Sequence, residues 1–277
     1  MHNQRKIEYQ QCYIAFLDIL GFERLVKSKS ASSKKKIEEY FGLINEVVDG
    51  FREISSKRYI GTLIISDSVI LSVQKADDRE NNIEMLRQLC MAIRAIQYRL
   101  ALNNIWLRGG VSSGDAYFSS PENQIVGPAY IDAYNLEKRI AVYPRVIIDT
   151  KLINELECES AESLIDEINT YDPKQSKYGV EGRDVLFQWN KSGHETVGMK
   201  KDVALFVDYL APSFAERNKL KQVVNNVVKS MYQDNQVYSK YRWVVEYLMA
   251  RCIPLDKYHG LAQSKEINVQ FDRLRGL

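Results

Sequence analysis

The order in which strand-like and helix-like segments follow one another constrains the fold of this chain most. An apolar run that ends at Asp18 predicts a first strand, and apolar residues at i, i+3, i+4 and i+7 spacing over Ile37–Phe51 predict a helix after it. Tyr59–Ser66 and Ser68–Val73 predict two strands joined tightly around Asp67. Strands joined so tightly must pair antiparallel, so the chain opens with a strand, a helix and a hairpin.

The next segments continue this alternation. They are predicted as a helix at Asn81–Asn103, a strand at Ile105–Ser113, a Gly-Asp turn, a short strand at Ala116–Ser119, a helix at Ala129–Ala141 and a strand at Val146–Asp149. The order strand, helix, strand, strand, helix, strand is that of a ferredoxin-like α+β sandwich, in which helices cover one face of an antiparallel sheet. We predict one such domain over residues 8–150.

Residues 151–277 differ in character and are predicted to form a mixed, largely helical C-terminal extension. Val185–Trp189 and Val203–Leu210 predict short strands, and helices are expected at 213–232 and 236–250. The sequence leaves open whether this extension is a second domain or packs on the first.

Composition and charge exclude several classes of protein. Of the 277 residues, 45% are hydrophobic and 27% are charged, as in ordinary soluble globular proteins. The formal net charge of +2 does not predict a nucleic-acid partner. We find no apolar run long enough to span a membrane and no signal peptide, so we expect a cytoplasmic protein. The four cysteines and three histidines are scattered, which argues against a zinc site.

Two acidic residues, Asp18 and Asp67, stand at the edges of apolar strands. A carboxylate among apolar neighbours needs a partner to remain ionised, and two carboxylates on neighbouring strands repel one another unless a divalent cation lies between them. The pattern therefore predicts a two-metal site for phosphoryl transfer. For Asp67 alone, an ordinary aspartate in a hairpin turn is the competing interpretation.

Four motifs follow one another along the predicted domain: Ala15–Phe22 (AFLDILGF), Ile65–Val69 (ISDSV), Arg108–Gly114 (RGGVSSG) and Ala133–Arg139 (AYNLEKR). In sequence and in order they resemble the motifs of class III nucleotidyl cyclases. The resemblance implies that Asp18, Asp67 and the backbone carbonyl of Ile19 hold two divalent cations, Mn²⁺ or Mg²⁺.

The resemblance also implies a phosphate site after the first strand. The amides of Leu20, Gly21 and Phe22, at the start of a helix, would cradle the β- and γ-phosphates, and Phe16 would lie at the nucleotide. Glu23 stands where the family usually has threonine, and a second acid there would repel the phosphates unless it points away.

The helix motif implies the remaining catalytic roles. Asn135 would orient the ribose, and Arg139, one turn later, would stabilise the charge that develops at the α-phosphate. In this family the metal ligands and the Asn–Arg helix come from different subunits, which implies a homodimer with shared active sites. Taken alone, the same two residues are better explained as a solvated helix face.

Two positions depart from the purine cyclases of this family. Leu63 and Pro128 occupy the places of the residues that read the base, and neither side chain offers a hydrogen bond. Because the metal and ribose residues are retained, a different base is favoured over a decayed enzyme. The chain here resembles the bacterial Pycsar pyrimidine cyclases of anti-phage defence, which have a similar extension around Asp208–Leu210 and Lys240–Trp243. That resemblance implies cyclic UMP or cyclic CMP as product, which would activate a separate effector without contact between the two proteins.

Base recognition is assigned to Tyr59, Leu63 and Arg108. Tyr59 would fill the volume that the second ring of a purine needs, although core packing explains it equally well. Arg108 only donates hydrogen bonds and so matches the O4 acceptor of uracil better than the amino group of cytosine. We therefore expect UTP to be favoured over CTP. A purine cyclase and a non-catalytic nucleotide-binding regulator are the alternative functions.

Overall fold

The computed structural model describes residues 6–54, 60–170, 184–188, 204–233, 235, 237–252 and 261–277. Its elements are β1 (Gln10–Ile19), α1 (Phe22–Ser28), α2 (Ala31–Ile54), β2 (Gly61–Ile65), β3 (Ser68–Gln74), α3 (Arg79–Leu102), β4 (Leu107–Ser119), β5 (Gln124–Val126), α4 (Pro128–Arg139), β6 (Val146–Ile148), α5 (Lys151–Glu155), α6 (Ala161–Asn169), β7 (Leu186–Phe187), β8 (Phe206–Val207), α7 (Arg217–Met231), α8 (Tyr238–Cys252) and α9 (Leu261–Arg275). Tyr59, assigned above to base recognition, lies outside the described residues.

One sheet organises the described part of the chain. Its strand order is β2-β3-β1-β4-β6-β8-β7, and β5 pairs with β4. The neighbours are antiparallel except β4 and β6, which are parallel. The two central strands β1 and β4 are flanked by the hairpin β2–β3, as the predicted order of strands and helices requires. The predicted α+β class is confirmed.

The two faces of β1 pack against different helices because its side chains alternate in direction. Tyr13, Ala15 and Leu17 are buried in the core formed with α2 and α3. Ile14 and Phe16 point the other way and pack against α4. Helices therefore cover both faces, whereas the sequence led us to expect them on one face. The periodicity of a helix shows which of its own sides is apolar, but not which face of a sheet it will cover.

Strand β4 runs without interruption through the predicted Gly-Asp turn, so that prediction was wrong. Cys12 pairs with Gly114 and Gln11 with Asp115, and the ladder between β1 and β4 continues across both pairs. Gly114 has a φ of 135°, a conformation that its missing side chain permits. Pairing with a long partner strand has overridden the local turn preference.

The C-terminal part extends the same sheet. Strand β8 pairs with β6, and β7 pairs with β8, although each covers only two residues of the segments predicted as strands. Helices α7 and α8 match the two predicted helices, and α9 was not predicted. Trp243 and Tyr209 are buried in a core that these helices share with β7 and β8. Within the described residues, each helix is too short or too polar to cross a bilayer.

A buried ionic cluster joins α8 to the end of the sheet. Asp208 is completely buried, accepts a hydrogen bond from the Tyr247 hydroxyl and lies 3.3 Å from the guanidinium of Arg251. Arg251 also pairs with Asp184 at 3.4 Å. Burial raises the pKa of Asp208, and the positive charge of Arg251 opposes that rise. Since an unpaired charge here would be costly, the cluster holds α8 in place against the strands.

Candidate active site

The structure brings the two predicted metal ligands together at one end of the sheet. Asp18 lies opposite Ser68 in the ladder between β1 and β3. Next to it, the Ile19 amide donates a hydrogen bond to the backbone carbonyl of Asp67 at 3.2 Å. Ser66 adopts a left-handed conformation with a φ of 58°, and this turns the β2–β3 hairpin sharply at Asp67. Two acids that are distant in sequence thereby become neighbours.

Arg108 lies between Asp18 and a third acid. Arg108 on β4 lies opposite Asp18 on β1 in the sheet register. The Nη2 atom of Arg108 lies 3.3 Å from the Asp18 carboxylate. Its Nε lies 2.7 Å from the carboxylate of Glu137 on α4, a side chain only 4% exposed. The guanidinium that the sequence suggested for base recognition thus binds two carboxylates of its own chain.

The electrostatics of this cluster favour an added cation. The pKa of Asp18 is raised to about 6: burial is the largest cause, the negative charges of Glu137 and Asp67 also raise it, and Arg108 opposes them. Burial likewise raises the pKa of Glu137, again against the effect of Arg108. Arg108 therefore pairs with two acids, and a third acid, Asp67, lies close by. A bound cation would stabilise the ionised carboxylates of this cluster.

The donor set fits a divalent cation that also binds substrate. Among the described residues, no group of three or more His, Cys, Asp or Glu side chains is arranged to hold a metal. Asp18 and Asp67 supply two carboxylates, and Mg²⁺ in phosphoryl-transfer sites is usually held by one or two carboxylates, water and substrate phosphates. Oxygen donors of this kind accept Mn²⁺ as well. Ile19 follows Asp18 in the chain and its amide contacts the Asp67 backbone, so the predicted backbone ligand belongs to a residue next to both acids.

Two glycines of the RGG motif allow the close packing that builds the cluster. A Cβ on Gly110 would lie 2.4 Å from the Cβ of Leu136, so only glycine lets α4 approach β4 this closely. A Cβ on Gly109 would lie 2.4 Å from the backbone oxygen of Phe16 on β1. The close contact with α4 brings Glu137 within reach of Arg108. The motif is therefore explained by packing as well as by any role in binding.

The loop after β1 is partly committed to the fold. The Leu20 amide donates to the Trp106 carbonyl at 2.9 Å, so of the three amides predicted to bind phosphate only those of Gly21 and Phe22 lack an acceptor among the described residues. Gly21 has a φ of 79° and turns the chain into α1. Glu23 pairs with Lys27 at 2.5 Å, and both side chains are exposed.

Phe16 and Leu63, the other residues predicted at the nucleotide, are buried in a cluster with Ala129 and Ala133 of α4. Leu63 is 2% exposed, and Phe16 packs edge-on against Tyr134 with ring centroids 5.3 Å apart. Pro128 is the first residue of α4, where a missing N–H costs nothing. In this structure these three residues serve packing and helix initiation.

The two predicted catalytic residues of α4 face a different space. Asn135 and Arg139 line a cavity of about 290 Å³, together with Asp132, Leu136, Ile140 and Asp149. Glu137, two residues after Asn135, faces Arg108 instead. At about 100° per residue, such an offset places two side chains on opposite sides of a helix. Within one chain, Asn135 and Arg139 therefore lie on the side of α4 away from the cluster that contains the metal-ligand candidates.

Glu137 is the site residue that the sequence analysis missed. Its position in the AYNLEKR motif offered one signal, because an acid on the side of a helix away from Asn135 and Arg139 must face either solvent or the sheet. The sequence does not show that this side lies against Arg108.

Comparisons with known proteins give weak similarities of fold. No protein-family model and no curated protein sequence matches this chain. Among solved structures, the adenylyl cyclase CyaB from P. aeruginosa is similar over 73% of this chain and 95% of its own, with 13% identity and a TM-score of 0.43. The guanylyl cyclase Cya2 is similar over 74% and 93%, with 14% identity and a TM-score of 0.39.

A third similar structure is a class III adenylyl cyclase-like ATP-binding protein from Pseudomonas aeruginosa, over 57% of this chain and 37% of its own, with 11% identity and a TM-score of 0.40. At such identities and TM-scores, the roles of individual residues must be judged from the contacts within this chain.

Proposed function

We propose that this chain is a class III nucleotidyl cyclase that converts a pyrimidine nucleoside triphosphate, UTP before CTP, into the 3′,5′-cyclic monophosphate and pyrophosphate. The observation that carries the proposal is the hydrogen bond from the Ile19 amide to the Asp67 carbonyl at 3.2 Å. It sets Asp67 beside Asp18, next to a loop with two amides available for an anion. Two adjacent carboxylates and an amide loop are what a site for two cations and a triphosphate requires.

The proposed reaction joins the ribose 3′ oxygen to the α-phosphorus. The 3′-hydroxyl gives its proton to water, a bond forms between O3′ and the α-phosphorus, and the bond from the α-phosphorus to the bridging oxygen breaks so that pyrophosphate leaves with the electron pair. Bound divalent cations would supply a lowered hydroxyl pKa and charge neutralisation on the phosphates. Asp18 and Asp67 would hold those cations, while the amides of Gly21 and Phe22 would donate to the phosphates.

The division of the site within one chain supports a homodimer with shared active sites. Asn135 and Arg139 face away from Asp18, so in this arrangement they must act on a nucleotide held by a second copy. Exposed apolar residues also lie on and directly after α4: Ile131 is 55% exposed, Tyr134 36%, and Ile140, the residue after the helix, 49%. Exposed apolar side chains close to Asn135 and Arg139 suit an interface of this kind.

The choice of base is supported by side chains that cannot read a purine edge. Leu63 is buried and Pro128 begins a helix, so neither supplies the hydrogen bonds used by purine cyclases. The preference for UTP over CTP depends on Arg108. To bind the base, its guanidinium would have to give up the ion pair with Asp18 while keeping the ion pair with Glu137. By the Pycsar resemblance, the cyclic product would act in anti-phage defence by activating a separate effector.

The test is turnover of each nucleotide by the purified full chain. UTP, CTP, ATP and GTP are incubated separately with Mn²⁺ or Mg²⁺, and the products are compared with 3′,5′-cyclic standards by chromatography and mass spectrometry. We expect cyclic UMP, with less cyclic CMP, and at least as much activity with Mn²⁺ as with Mg²⁺. A product from ATP or GTP alone would make the protein a purine cyclase. Binding without turnover would make it a regulator.

A further inference from the structure

The start of α8 lies beside the candidate active site. The ring of Tyr241 packs edge-on against Trp106, with ring centroids 5.7 Å apart. Trp106 in turn accepts the hydrogen bond from the Leu20 amide that holds the loop after β1. The C-terminal extension thus contacts the residue that positions this loop. Lys240 directly precedes Tyr241 on α8, so the contact between Tyr241 and Trp106 also fixes the position of the Lys240 backbone.

Lys240 is a half-buried cation without an ion pair or a side-chain hydrogen bond to any residue that the structure describes. It lies within electrostatic range of both Arg108 and Asp18. Burial first, and then the charge of Arg108, lower the pKa of Lys240, while Asp18 raises it. A partly desolvated ammonium next to a guanidinium is in surroundings that a bound anion would improve.

Three further cations on separate helices lie within electrostatic range of one another or of Tyr241. Arg24 is on α1, Lys36 on α2 and Lys229 on α7. Burial lowers the pKa of Lys36, the nearby charges of Lys229 and Arg24 lower it further, and Glu39 opposes them. Arg24 also lies within electrostatic range of Tyr241. Since the whole chain has a formal net charge of only +2, this concentration of positive charge is local.

We propose that Lys240, Arg24, Lys36 and Lys229, here termed the basic cluster, bind the terminal phosphates of the nucleoside triphosphate, so that the C-terminal extension completes the phosphate site. The inference rests on the proposed function. Lys240 contacts the phosphates directly, because it lies within electrostatic range of Asp18 and Arg108. The other three cations attract the polyphosphate and the departing pyrophosphate through their charge.

The experiment measures the binding of inorganic tripolyphosphate, which has neither base nor ribose, to the full chain by isothermal titration calorimetry. Lys240→Met is compared with the wild type and with Lys221→Met, a matched control that removes an exposed lysine of α7 outside the basic cluster. We expect Lys240→Met to weaken binding by about tenfold to a hundredfold, the loss of one charge-assisted hydrogen bond. The control should bind as the wild type does, and Lys240→Arg should retain most of the affinity.

Thermal unfolding shows whether each variant is folded, and Lys240→Gln replaces Lys240→Met if the latter is not. Equal tripolyphosphate affinity in the wild type and a folded Lys240 variant overturns the proposal, and so does an equal loss in Lys221→Met. If no nucleotide is cyclised but the loss at Lys240 persists, the phosphate site stands and the proposed function fails. If the Lys240 variant cyclises the substrate with unchanged KM and binds tripolyphosphate normally, the proposed function stands and this inference fails.

Discussion

The guanidinium of Arg108 lies 2.7 Å from the buried carboxylate of Glu137, and this ion pair joins α4 to the edge of the candidate metal site. The same guanidinium reaches Asp18 at 3.3 Å. One arginine therefore partners two acids. A cation at Asp18 would take over one of these partnerships and leave Arg108 with Glu137.

The Arg108–Glu137 pair should matter to stability. Arg108→Met leaves the carboxylates of Asp18 and of the buried Glu137 without their cation, so we expect the free energy of unfolding to fall by about 2 kcal/mol. Lys27→Met is the matched control, because Lys27 and its partner Glu23 are both exposed and such pairs contribute about 0–1 kcal/mol. Urea unfolding at pH 7 measures both. Equal effects of the two substitutions would show that the buried pair contributes no more than a surface pair.

The raised pKa of Asp18 predicts a pH-dependent cost of folding without metal. A carboxyl whose pKa is higher in the folded than in the unfolded state destabilises the fold at pH values where it ionises. For Asp18 this cost in folding free energy grows as the pH rises from about 4 to about 6, and it stays constant above pH 6. Asp18→Asn should therefore unfold at a higher temperature than the wild type at pH 7.5 in a chelator. At pH 4 the advantage should be much smaller.

Thermal unfolding of both proteins at the two pH values provides the measurement. Added Mn²⁺ should raise the unfolding temperature of the wild type at pH 7.5 and leave Asp18→Asn nearly unaffected. An Asp18→Asn protein less stable than the wild type at pH 7.5 would contradict the predicted cost.

The metal-ligand candidates should be indispensable for turnover. Asp18→Ala or Asp67→Ala removes one carboxylate of a two-carboxylate site, and we expect activity to fall by roughly a thousandfold or more while the fold persists. Product formation measures the first effect and circular dichroism the second. More than a few per cent of activity in a clean double variant would argue against two-metal catalysis.

The shared site predicts complementation between two inactive variants. In a heterodimer of Asp18→Ala and Arg139→Ala subunits, one site combines the intact acid of one chain with the intact arginine of the other. Mixing the two proteins under conditions that allow subunit exchange should therefore restore part of the activity. Mixing Asp18→Ala with Asp67→Ala is the control, because both sites of that heterodimer lack an acid. Absence of recovery in the first mixture, with exchange demonstrated, would place the whole site in one chain.

The approach of α4 to the sheet should depend on Gly110. A Cβ there would lie 2.4 Å from Leu136, so Gly110→Ala must push α4 away from β4, and we expect a loss of about 2 kcal/mol or more together with weaker Arg108–Glu137 pairing. Gly42→Ala, in the middle of α2 with nothing near its added Cβ, should instead stabilise the protein by about 0.5–1 kcal/mol. Urea unfolding compares them, and equal signs would refute the packing argument.

The local pattern of the sequence determined much of the N-terminal half. The apolar run ending at Asp18 and the helical spacing over Ile37–Phe51 depend on neighbours along the chain, so they predicted β1 and α2 correctly. The turn at Asp67 follows from the same short-range information. The α+β class, the order of the first strands and the helices α7 and α8 could therefore be read without coordinates.

Only the tertiary structure decided how these elements meet. The ladder between β1 and β4 suppressed the turn expected at Gly114, and the packing of α4 on the second face of the sheet gave Arg108 a buried partner in Glu137. Likewise, Lys240 lies near Asp18 because α8 packs against Trp106. Each relationship joins residues that are distant in sequence. Side-chain periodicity carries no information about which distant segment will cover a given face, so contacts between elements had to supply it.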